Sequence, residues 1–440
     1  MRPNPAIPGP LGGKSAAGLW WKLRLRAGLV FGLGLLPRLF DLALSLSLLI
    51  ALAPLWLARA VWGWRKTGQL FSHEELLGRM RMPFWRLRFA GDAPFAGLAV
   101  LFNIVKGDMA FAGPRPLHEA EAAALGPGQA MRFAMRPGLF SPHSLRRKVG
   151  IAYDSEAASD MDFYYGETVA GNAGLLARSL LGSVLAGGAP RPTPPMLHLL
   201  GVNITNTTMD EALDWIVARA RAGEASLTAF VNPDCLNIAY RLPPYRAVLA
   251  QAARVLPDGI GINLGCRILG VALKANVNGT DLFPRLCDRA AQEGLSLFLL
   301  GARPGVAEAA AQNMLSRYPG LVFAGVRDGY FQPEETDAVL AEINASGADI
   351  LLVAFGAPKQ ELWLAEHHEQ LRPAVRLGVG GLFDFYSGRI RRAPLWMREI
   401  GLEWTWRLLQ EPGRMWRRYV IGNPLFLYRV WRQNKSEKSS

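Results

Sequence analysis

The sequence has few of the residues that build metal centres and disulfides. Its 440 residues include only three cysteines and six histidines, and no HExxH motif is present. Neither residue type recurs at the short spacing of metal sites or redox pairs. We therefore expect Cys235, Cys266 and Cys287 to be reduced core residues of a cytosolic domain, and we expect neither a metal nor another cofactor.

Acidic residues are scarce at both ends of the chain. Residues 1–66 hold nine basic residues and one acid, Asp41, and residues 385–440 hold twelve basic and four acidic residues, so each end has a net charge of +8. Both ends are also rich in Trp, Leu and Phe, a composition typical of segments that lie on anionic membranes. Nucleic acid is the alternative polyanion, but no reader motif accompanies the charge. We expect anionic membrane lipids, and no nucleic acid, as the partner.

One apolar run is barely long enough to cross a membrane. Leu42–Ala58 has 17 residues without a charge, the lower limit for a transmembrane helix. Pro54 lies inside the run and is expected to break a helix. Basic residues flank both sides, and this pattern favours two cytoplasmic ends: Lys22, Arg24, Arg26, Arg38, Arg59, Arg65 and Lys66. The sequence predicts a re-entrant helix over about residues 39–62, monotopic on the cytoplasmic face of the bacterial inner membrane, with a single-pass anchor as the alternative.

Residues 103–116, NIVKGDMAFAGPRP, together with Arg136-Pro137-Gly138, resemble the bacterial sugar transferases that load a phosphosugar onto polyprenyl phosphate. The resemblance covers about residues 38–187 and implies a monotopic, α-rich, membrane-associated domain over residues 1–186. Family members carry an Asp-Glu pair before this block, the Asp as nucleophile and the Glu at the metal. Here Ala96 and Gly97 occupy those positions, and neither can attack a phosphate or hold magnesium. The domain is predicted to be degenerate.

A degenerate domain of this kind has three remaining roles. It can serve as a membrane anchor, as a binder of the polyprenyl lipid, or as a dimerisation platform, so a homo-oligomer is left open.

A segment rich in proline and glycine follows this domain: Gly187–Pro195 has four prolines and two glycines in nine residues. Such a stretch neither propagates a helix nor joins a sheet, so it is predicted to be a linker.

Beyond the linker, short apolar runs alternate with amphipathic stretches. The predicted strands are Leu227–Asn232, Leu295–Leu300, Leu321–Val326, Ile350–Phe355 and Val375–Val379. The predicted helices cover residues 209–222, 280–293, 305–317, 334–345 and 358–370. This alternation predicts an α/β domain over residues 196–385 with an open, mostly parallel, Rossmann-like sheet. Residues 386–440 are predicted to form a basic, Trp-rich, helical appendage that contacts the membrane and the active site.

Several ordered blocks follow one another in this half of the chain. They include Phe230-Val-Asn-Pro-Asp234, Leu256-Pro-Asp-Gly-Ile-Gly261, Asn278-Gly-Thr-Asp281, Phe355-Gly-Ala-Pro-Lys-Gln-Glu361, Gly401-Leu-Glu-Trp404 and Glu411-Pro-Gly-Arg414. The blocks resemble the WecG/TagA/CpsF family, glycosyltransferase family 26, over about residues 200–420. The resemblance implies inverting transfer of N-acetylmannosamine, its uronic acid or glucose from a UDP-sugar to a polyprenyl-diphosphate-linked sugar, without a metal, in cell-surface polysaccharide biosynthesis.

The resemblance assigns the role of general base to Asp258. An inverting transfer needs one carboxylate to accept the proton of the acceptor hydroxyl; the alternative is that Asp258 only caps the turn beside Gly259. The substrate-binding candidates are Asn232, Asn278, Asp281, Gln360, Arg407 and Arg414. For Asp281, a helix N-terminal cap is an equal alternative. The two arginines are expected at the diphosphate, because a reaction without a metal needs another cation against the departing UDP.

Two other functions stay open beside this hexosyltransferase. In a bifunctional enzyme, the first domain would still add an initial sugar phosphate, which the missing Asp-Glu pair at residues 96–97 opposes. In a non-enzymatic scaffold of a polysaccharide assembly complex, the catalytic blocks would have no role, which the intact Asp258 and the block at residues 355–361 oppose.

Overall fold

The computed structural model of the protein describes residues 35–92, 94–148, 156–186 and 191–439. The chain divides into two compact units, Met1–Ser144 with Asp154–Leu180, and Leu145–Tyr153 with Leu181–Ser440. Lys22, Arg24 and Arg26 and residues 187–190 of the predicted linker lie outside the described residues. Residues 191–194, the next part of that linker, have no regular secondary structure.

The first unit begins with two helices joined by a sharp bend. Helix α1 (Leu35–Ala51) and helix α2 (Ala53–Thr67) meet at 72°. Pro54 lies in the first turn of α2, where a backbone N–H would have no partner within the helix, so the proline is tolerated. The same proline cannot donate a hydrogen bond to α1, so α1 ends before it. Within the described residues, no single helix is long and apolar enough to cross a membrane, whereas this bent pair satisfies both criteria together, as a broken span or a re-entrant loop would.

Polar contacts fix α1 to the rest of the first unit. Arg38 donates to the carbonyl oxygens of Ile104 and Val105 at 2.6 and 2.7 Å. The carboxylate of Asp41 accepts a hydrogen bond from the Phe111 amide at 3.1 Å. Both charged side chains of α1 therefore form hydrogen bonds within the first unit. Most exposed residues of this helix are apolar, and they include Leu39, Leu46 and Ile50.

The remaining elements of the first unit are short. Strands β1 (Phe71–Leu77) and β2 (Pro83–Phe89) form an antiparallel pair, and β3 (Ala110–Ala112) and β4 (Gly138–Phe140) a parallel pair. The helices are α3 (Val100–Lys106), α4 (Glu119–Ala123) and α6 (Glu156–Gly166), while α5 (Pro142–Lys148) and α7 (Val169–Ala186) contain residues of both units. Ala96 and Gly97 lie in a 3₁₀ turn, Ala96–Ala99, directly before α3.

The second unit opens with an antiparallel hairpin, β5 (Met196–Leu199) and β6 (Val202–Thr205). Its main sheet consists of β7 (Ser226–Val231), β8 (Arg254–Pro257), β9 (Ser296–Gly301), β10 (Val322–Arg327), β11 (Ile350–Ala354) and β12 (Val375–Gly378). These six strands are parallel and lie in the order β10-β9-β11-β12-β7-β8. The predicted α/β class and parallel sheet are confirmed, and each of the five predicted strands is present within one residue of its expected ends.

Helices cover both faces of the sheet. They are α8 (Met209–Ala222), α9 (Pro233–Arg241), α10 (Pro243–Gln251), α11 (Ile260–Ile268), α12 (Gly279–Glu293), α13 (Val306–Arg317), α14 (Thr336–Ala345) and α15 (Lys359–Glu366). Along β9, Leu297 and Leu299 pack under α8, α12 and α13, while Phe298 and Leu300 pack under α14 and α15. Burial on both faces explains why the strands are continuous apolar runs.

The carboxyl-terminal residues form a series of short helices and one long helix. These are α16 (Leu382–Tyr386), α17 (Leu395–Glu399), α18 (Glu403–Gln410), α19 (Pro412–Trp416), a π-helical turn (Arg417–Ile421) and α20 (Gly422–Ser439). Helix α20 is anchored in the second unit, because Phe426 and Val430 are fully buried in the core formed with α9 and α11. Trp416, Ile421 and Trp431 remain exposed.

The order of the strands leaves a crevice between β7 and β12. Helix α9 follows β7 and packs on one face of the sheet, whereas α16 follows the neighbouring β12 and packs on the other. Because the connections after these two strands go to opposite faces of the sheet, neither connection covers the space above the carboxyl ends of the strands. Ligand sites of open α/β sheets lie at such positions.

Candidate active site

Two cavities meet at this carboxyl edge, with volumes of about 510 and 630 Å³. We call the first the apolar cavity, because Ile260, Leu264, Trp404, Val420, Pro424 and Leu427 are prominent in its lining. We call the second the glycine cavity, because Gly356, Gly378, Gly380 and Gly381 line it. Asn232, Asp258, Arg407 and Arg418 line both.

Asp258 lies where the two cavities join, directly after β8. Its amide donates to the Val231 carbonyl at 2.8 Å. The following residue, Gly259, has a φ of +88°, a conformation that favours glycine. The Gly259 amide donates to the side-chain oxygen of Asn276 at 2.7 Å. These bonds fix the turn that carries Asp258. The sequence did not single out Asn276, although it lies only two residues before the block Asn278–Asp281.

The side chain of Asp258 is half-buried between the two cavities. Burial raises its pKa above the usual value, and this effect outweighs the lowering by Arg418, by a hydrogen bond with Asn232 and by Arg407. A carboxylate with a raised pKa accepts a proton more readily than an exposed one, which is the property that a general base needs.

Asn232 connects the end of β7 to Asp258. Its side-chain oxygen caps α9 by accepting hydrogen bonds from the amides of Asp234 and Cys235, both at 3.1 Å. The side chain also hydrogen bonds with Asp258. The cap holds the Asn232 side chain in one orientation, and Asn232 in turn orients the Asp258 carboxylate.

Asn278 and Asp281 form a pair at the start of α12. Asn278 accepts from the Asp281 amide and donates to its carboxylate, both at 2.8 Å. The same carboxylate pairs with Arg392, whose Nε lies 3.3 Å from Glu403. Among the described residues, the lining of the two cavities includes Asn278 and Glu403 but not Asp281. The structure therefore places Asp281 behind Asn278, in contact with the capping residue.

Gln360 joins two loops of the glycine cavity. Its side-chain oxygen accepts hydrogen bonds from the amides of Gly356 and Gly380 at 3.1 and 2.9 Å. Its nitrogen donates to the buried carboxyl of Glu361 at 2.7 Å, whose pKa is raised by burial to about 7. A Cβ on Gly378 would lie 2.8 Å from the Gln360 nitrogen, so only glycine leaves room for this arrangement.

Arginines supply the positive charge of the glycine cavity. Arg407 lies over the Phe385 ring at 5.0 Å, and its buried Nε has no hydrogen-bond partner among the described residues. The Nε of Arg418 lies 3.5 Å from Asp234. Arg414 also lines the cavity but is more exposed, with Glu411 at 3.7 Å. Arg418 was not selected from the sequence, because nothing in the Arg-rich tail separated it from Arg417 beside it.

Of the predicted site residues, the structure brings Asn232, Asp258, Gln360, Arg407 and Arg414 to the glycine cavity and Asn278 to the apolar one. Within the described part of the chain, no group of three or more His, Cys, Asp or Glu side chains is arranged to hold a metal ion. Guanidinium groups beside closely approachable glycines form a cradle with the chemistry that a diphosphate requires. A carboxylate with a raised pKa lies next to this cradle.

Comparison with known proteins agrees with this chemistry. The profile of the Glycosyl transferase WecG/TagA/CpsF family matches residues 197–440, which include every residue of both cavities. The N-acetylglucosaminyldiphosphoundecaprenol N-acetyl-beta-D-mannosaminyltransferase of Bacillus spizizenii is 33% identical over 244 residues, covering 56% of this chain and 93% of that protein. The resemblance of the first unit to bacterial sugar transferases stays a prediction.

The cradle predicts a charge-dependent affinity for diphosphates. We expect Arg407→Gln to weaken the binding of UDP and of inorganic pyrophosphate by about 10- to 100-fold, because a hydrogen bond to a charged group contributes roughly 1.5–3 kcal/mol. Arg432→Gln, on the exposed side of α20, is the matched control and should leave both affinities unchanged. Isothermal titration calorimetry measures both, and equal affinities in the two variants would contradict the assignment of Arg407.

Proposed function

The chain belongs to the WecG/TagA/CpsF family of glycosyltransferases, and on this premise we propose that it transfers a sugar from a UDP-sugar to a polyprenyl-diphosphate-linked N-acetylglucosamine with inversion. The observation that carries the proposal is the position of Asp258, between a cationic, glycine-lined cavity and an apolar one. N-acetylmannosamine is the first choice for the donor sugar, because the Bacillus spizizenii relative is named for its transfer. Its uronic acid and glucose are the alternatives.

The glycine cavity is the proposed site of the donor. A diphosphate carries several negative charges and needs fixed donors in place of water. Arg407 and Arg418 face this cavity, and Gly380 and Gly381 allow the backbone to approach a ligand closely. The Gln360 bridge to Gly356 and Gly380 holds the two loops at a constant separation.

The reaction then proceeds in one displacement. Asp258 accepts the proton of the acceptor hydroxyl as the hydroxyl oxygen attacks C1 of the donor sugar. The bond between C1 and the UDP oxygen breaks, and its electron pair stays on the β-phosphate, where Arg407 and Arg418 stabilise the new charge. Because attack and departure occur on opposite sides of C1, the anomeric configuration inverts.

The first unit is proposed to anchor the enzyme at the cytoplasmic face of the cell membrane without adding a sugar phosphate itself. The turn Ala96–Ala99 offers no carboxylate to attack a phosphate. Helix α1 exposes Leu39, Leu46 and Ile50, and its bend against α2 supports a re-entrant arrangement. In the second unit, exposed Trp416, Ile421 and Trp431 lie among arginines and supply further interfacial contacts.

The assignment of the base predicts a selective loss of turnover. We expect Asp258→Asn to lower acceptor-dependent UDP release by about 10²- to 10⁴-fold, the usual contribution of general base catalysis, with UDP affinity retained. The assay combines polyprenyl-diphosphate-linked N-acetylglucosamine with UDP-N-acetylmannosamine, its uronic acid or UDP-glucose, and the donor that is consumed identifies the sugar. Asp337→Asn, on the exposed side of α14, should behave as wild type. Turnover by Asp258→Asn at the wild-type rate would refute the mechanism.

The anchor predicts that binding to vesicles depends on α1. We expect Leu46→Asp combined with Ile50→Asp to reduce co-sedimentation with phosphatidylglycerol-containing vesicles at least tenfold, because one charged side chain at the centre of a membrane helix costs roughly 2.5–3.5 kcal/mol. Leu315→Asp, at an exposed leucine of α13, is the control and should bind as wild type. Unchanged binding of the double variant would show that α1 does not enter the membrane.

A further inference from the structure

The apolar cavity has two chemically different ends. At one end lie Asp258, Asn276, Asn278 and Glu403, which offer hydrogen bonds to a sugar. The remaining wall is formed largely by apolar side chains: Ile260, Leu264, Trp404, Val420, Pro424 and Leu427. A sugar or a diphosphate cannot satisfy its hydrogen bonds against such a wall, so a hydrophilic ligand alone does not explain this end of the cavity.

The apolar wall is built by helices that are rigidly placed. Leu264 lies on α11 and Leu427 on α20, and both stay half-buried while the neighbouring Phe426 is fully buried in the core. The rings of Trp404 and Tyr419, which also line the cavity, lie 5.8 Å apart. The core contacts of α20 therefore hold Leu427 at the cavity, where the part of its side chain that the core leaves exposed can contact an apolar ligand.

The turn before α18 approaches the wall unusually closely. Gly401 has a φ of +73°, and a Cβ there would lie 2.1 Å from the Ile260 side chain. Only glycine permits this approach, which holds the turn before Trp404 against α11. A wall that Trp404 and the side chains of α11 form together suits a hydrocarbon chain, because contact with both buries apolar surface.

The apolar lining continues to the surface of the second unit. Val420 lines the cavity and is 36% exposed. Pro424 and Leu427 line it from α20, and Tyr428 and Trp431 follow on the same face of that helix at spacings of three and four residues. The rings of Tyr428 and Trp431 are stacked, with centroids 6.1 Å apart. An apolar path therefore leads from the cavity next to Asp258 to the outside.

We propose that this wall binds the first isoprene units of the acceptor lipid, so that the enzyme contacts the hydrocarbon next to the diphosphate as well as the sugar. The inference rests on the proposed function. With the sugar at the polar end, Arg398, which lines the same cavity, supplies positive charge for the diphosphate that joins sugar to lipid. The chain then leaves along Leu264, Leu427 and Val420.

The test uses two soluble acceptors with the same N-acetylglucosamine diphosphate head, one bearing a farnesyl chain and one a methyl group, without membranes and below the micelle concentration. Wild type should use the farnesyl acceptor with a KM at least tenfold lower. Leu264→Gln and Leu427→Gln should each raise this KM about 10- to 100-fold, since a polar amide replaces apolar surface that the hydrocarbon would cover. The KM values of the methyl acceptor and of the UDP-sugar should not change.

Leu427→Met, which keeps an apolar side chain, should raise the KM of the farnesyl acceptor less than Leu427→Gln does. Leu315→Gln, at an exposed leucine of α13, controls for the loss of a surface leucine and should behave as wild type. UDP affinity in each variant shows whether the second unit is folded. Equal KM values of the two acceptors in wild type, or a parallel change of both in the variants, would overturn the inference while transfer itself supports the proposed function.

Direct binding of farnesyl diphosphate to the full chain, measured by calorimetry, separates the two failures. If no acceptor is glycosylated but farnesyl diphosphate binds at least tenfold more tightly to wild type than to Leu264→Gln, the proposed function fails and the apolar site stands. If farnesyl diphosphate binds no more tightly than methyl diphosphate, the apolar site fails.

Discussion

A half-buried carboxylate is costly unless neighbouring groups stabilise it, and the turn after β8 provides such groups for Asp258. Asp258 keeps a raised pKa because burial outweighs the stabilisation by Arg418, Asn232 and Arg407. The Asn276 contact with the Gly259 amide prevents the turn from relaxing toward water. The surrounding structure therefore has to supply cations close enough to keep the carboxyl ionisable, yet leave space for two substrates on either side.

The sheet and the carboxyl-terminal helices each supply some of the groups around Asp258. Loops at the edge of the sheet supply Asp258, the amide side chains and the glycines, while α17–α20 and the turns between them supply the arginines. Short helices such as α18 and α19 would not hold arginines in place by themselves. Burial of Phe426 and Val430 in the core anchors α20, and the Arg392 contacts with Asp281 and Glu403 connect α18 to the start of α12.

Much of the second unit could be predicted from its sequence, because buried parallel strands are apolar runs separated by amphipathic helices. Strand β8, Arg254–Pro257, was missed because it begins with a charged residue and ends with a proline, so it does not read as an apolar run. The predicted helix over residues 358–370 ends earlier, at Glu366. The docking of α20 was not foreseen either. An Arg- and Trp-rich tail has the composition of an interfacial helix, and only the tertiary structure shows that Phe426 is in the core.

The candidate site was predictable by residue type but not by role. Asp258 and Asn232 are polar residues at the ends of short apolar runs, and this position favours one edge of a sheet for both. The role of Gln360 depends on its contact with Gly380, and the role of Asp281 depends on its contact with Arg392. Both partners are distant in sequence, so neither contact could be predicted. Arg418 became distinct only through its proximity to Asp258. Long-range pairs of this kind are set by packing and leave no local pattern.

The pH dependence of kcat/KM for sugar transfer tests the central role of Asp258 most directly. A base must be deprotonated, so activity should be present above its pKa and fall as the pH drops through it. Burial raises this pKa above 3.8, which places the acidic limb of the wild-type profile at higher pH than an ordinary Asp would give. Arg418→Gln removes a charge that lowers this pKa, so the limb should move to higher pH, whereas Arg417→Gln should leave it in place. An acidic limb that is the same in both variants would contradict the account.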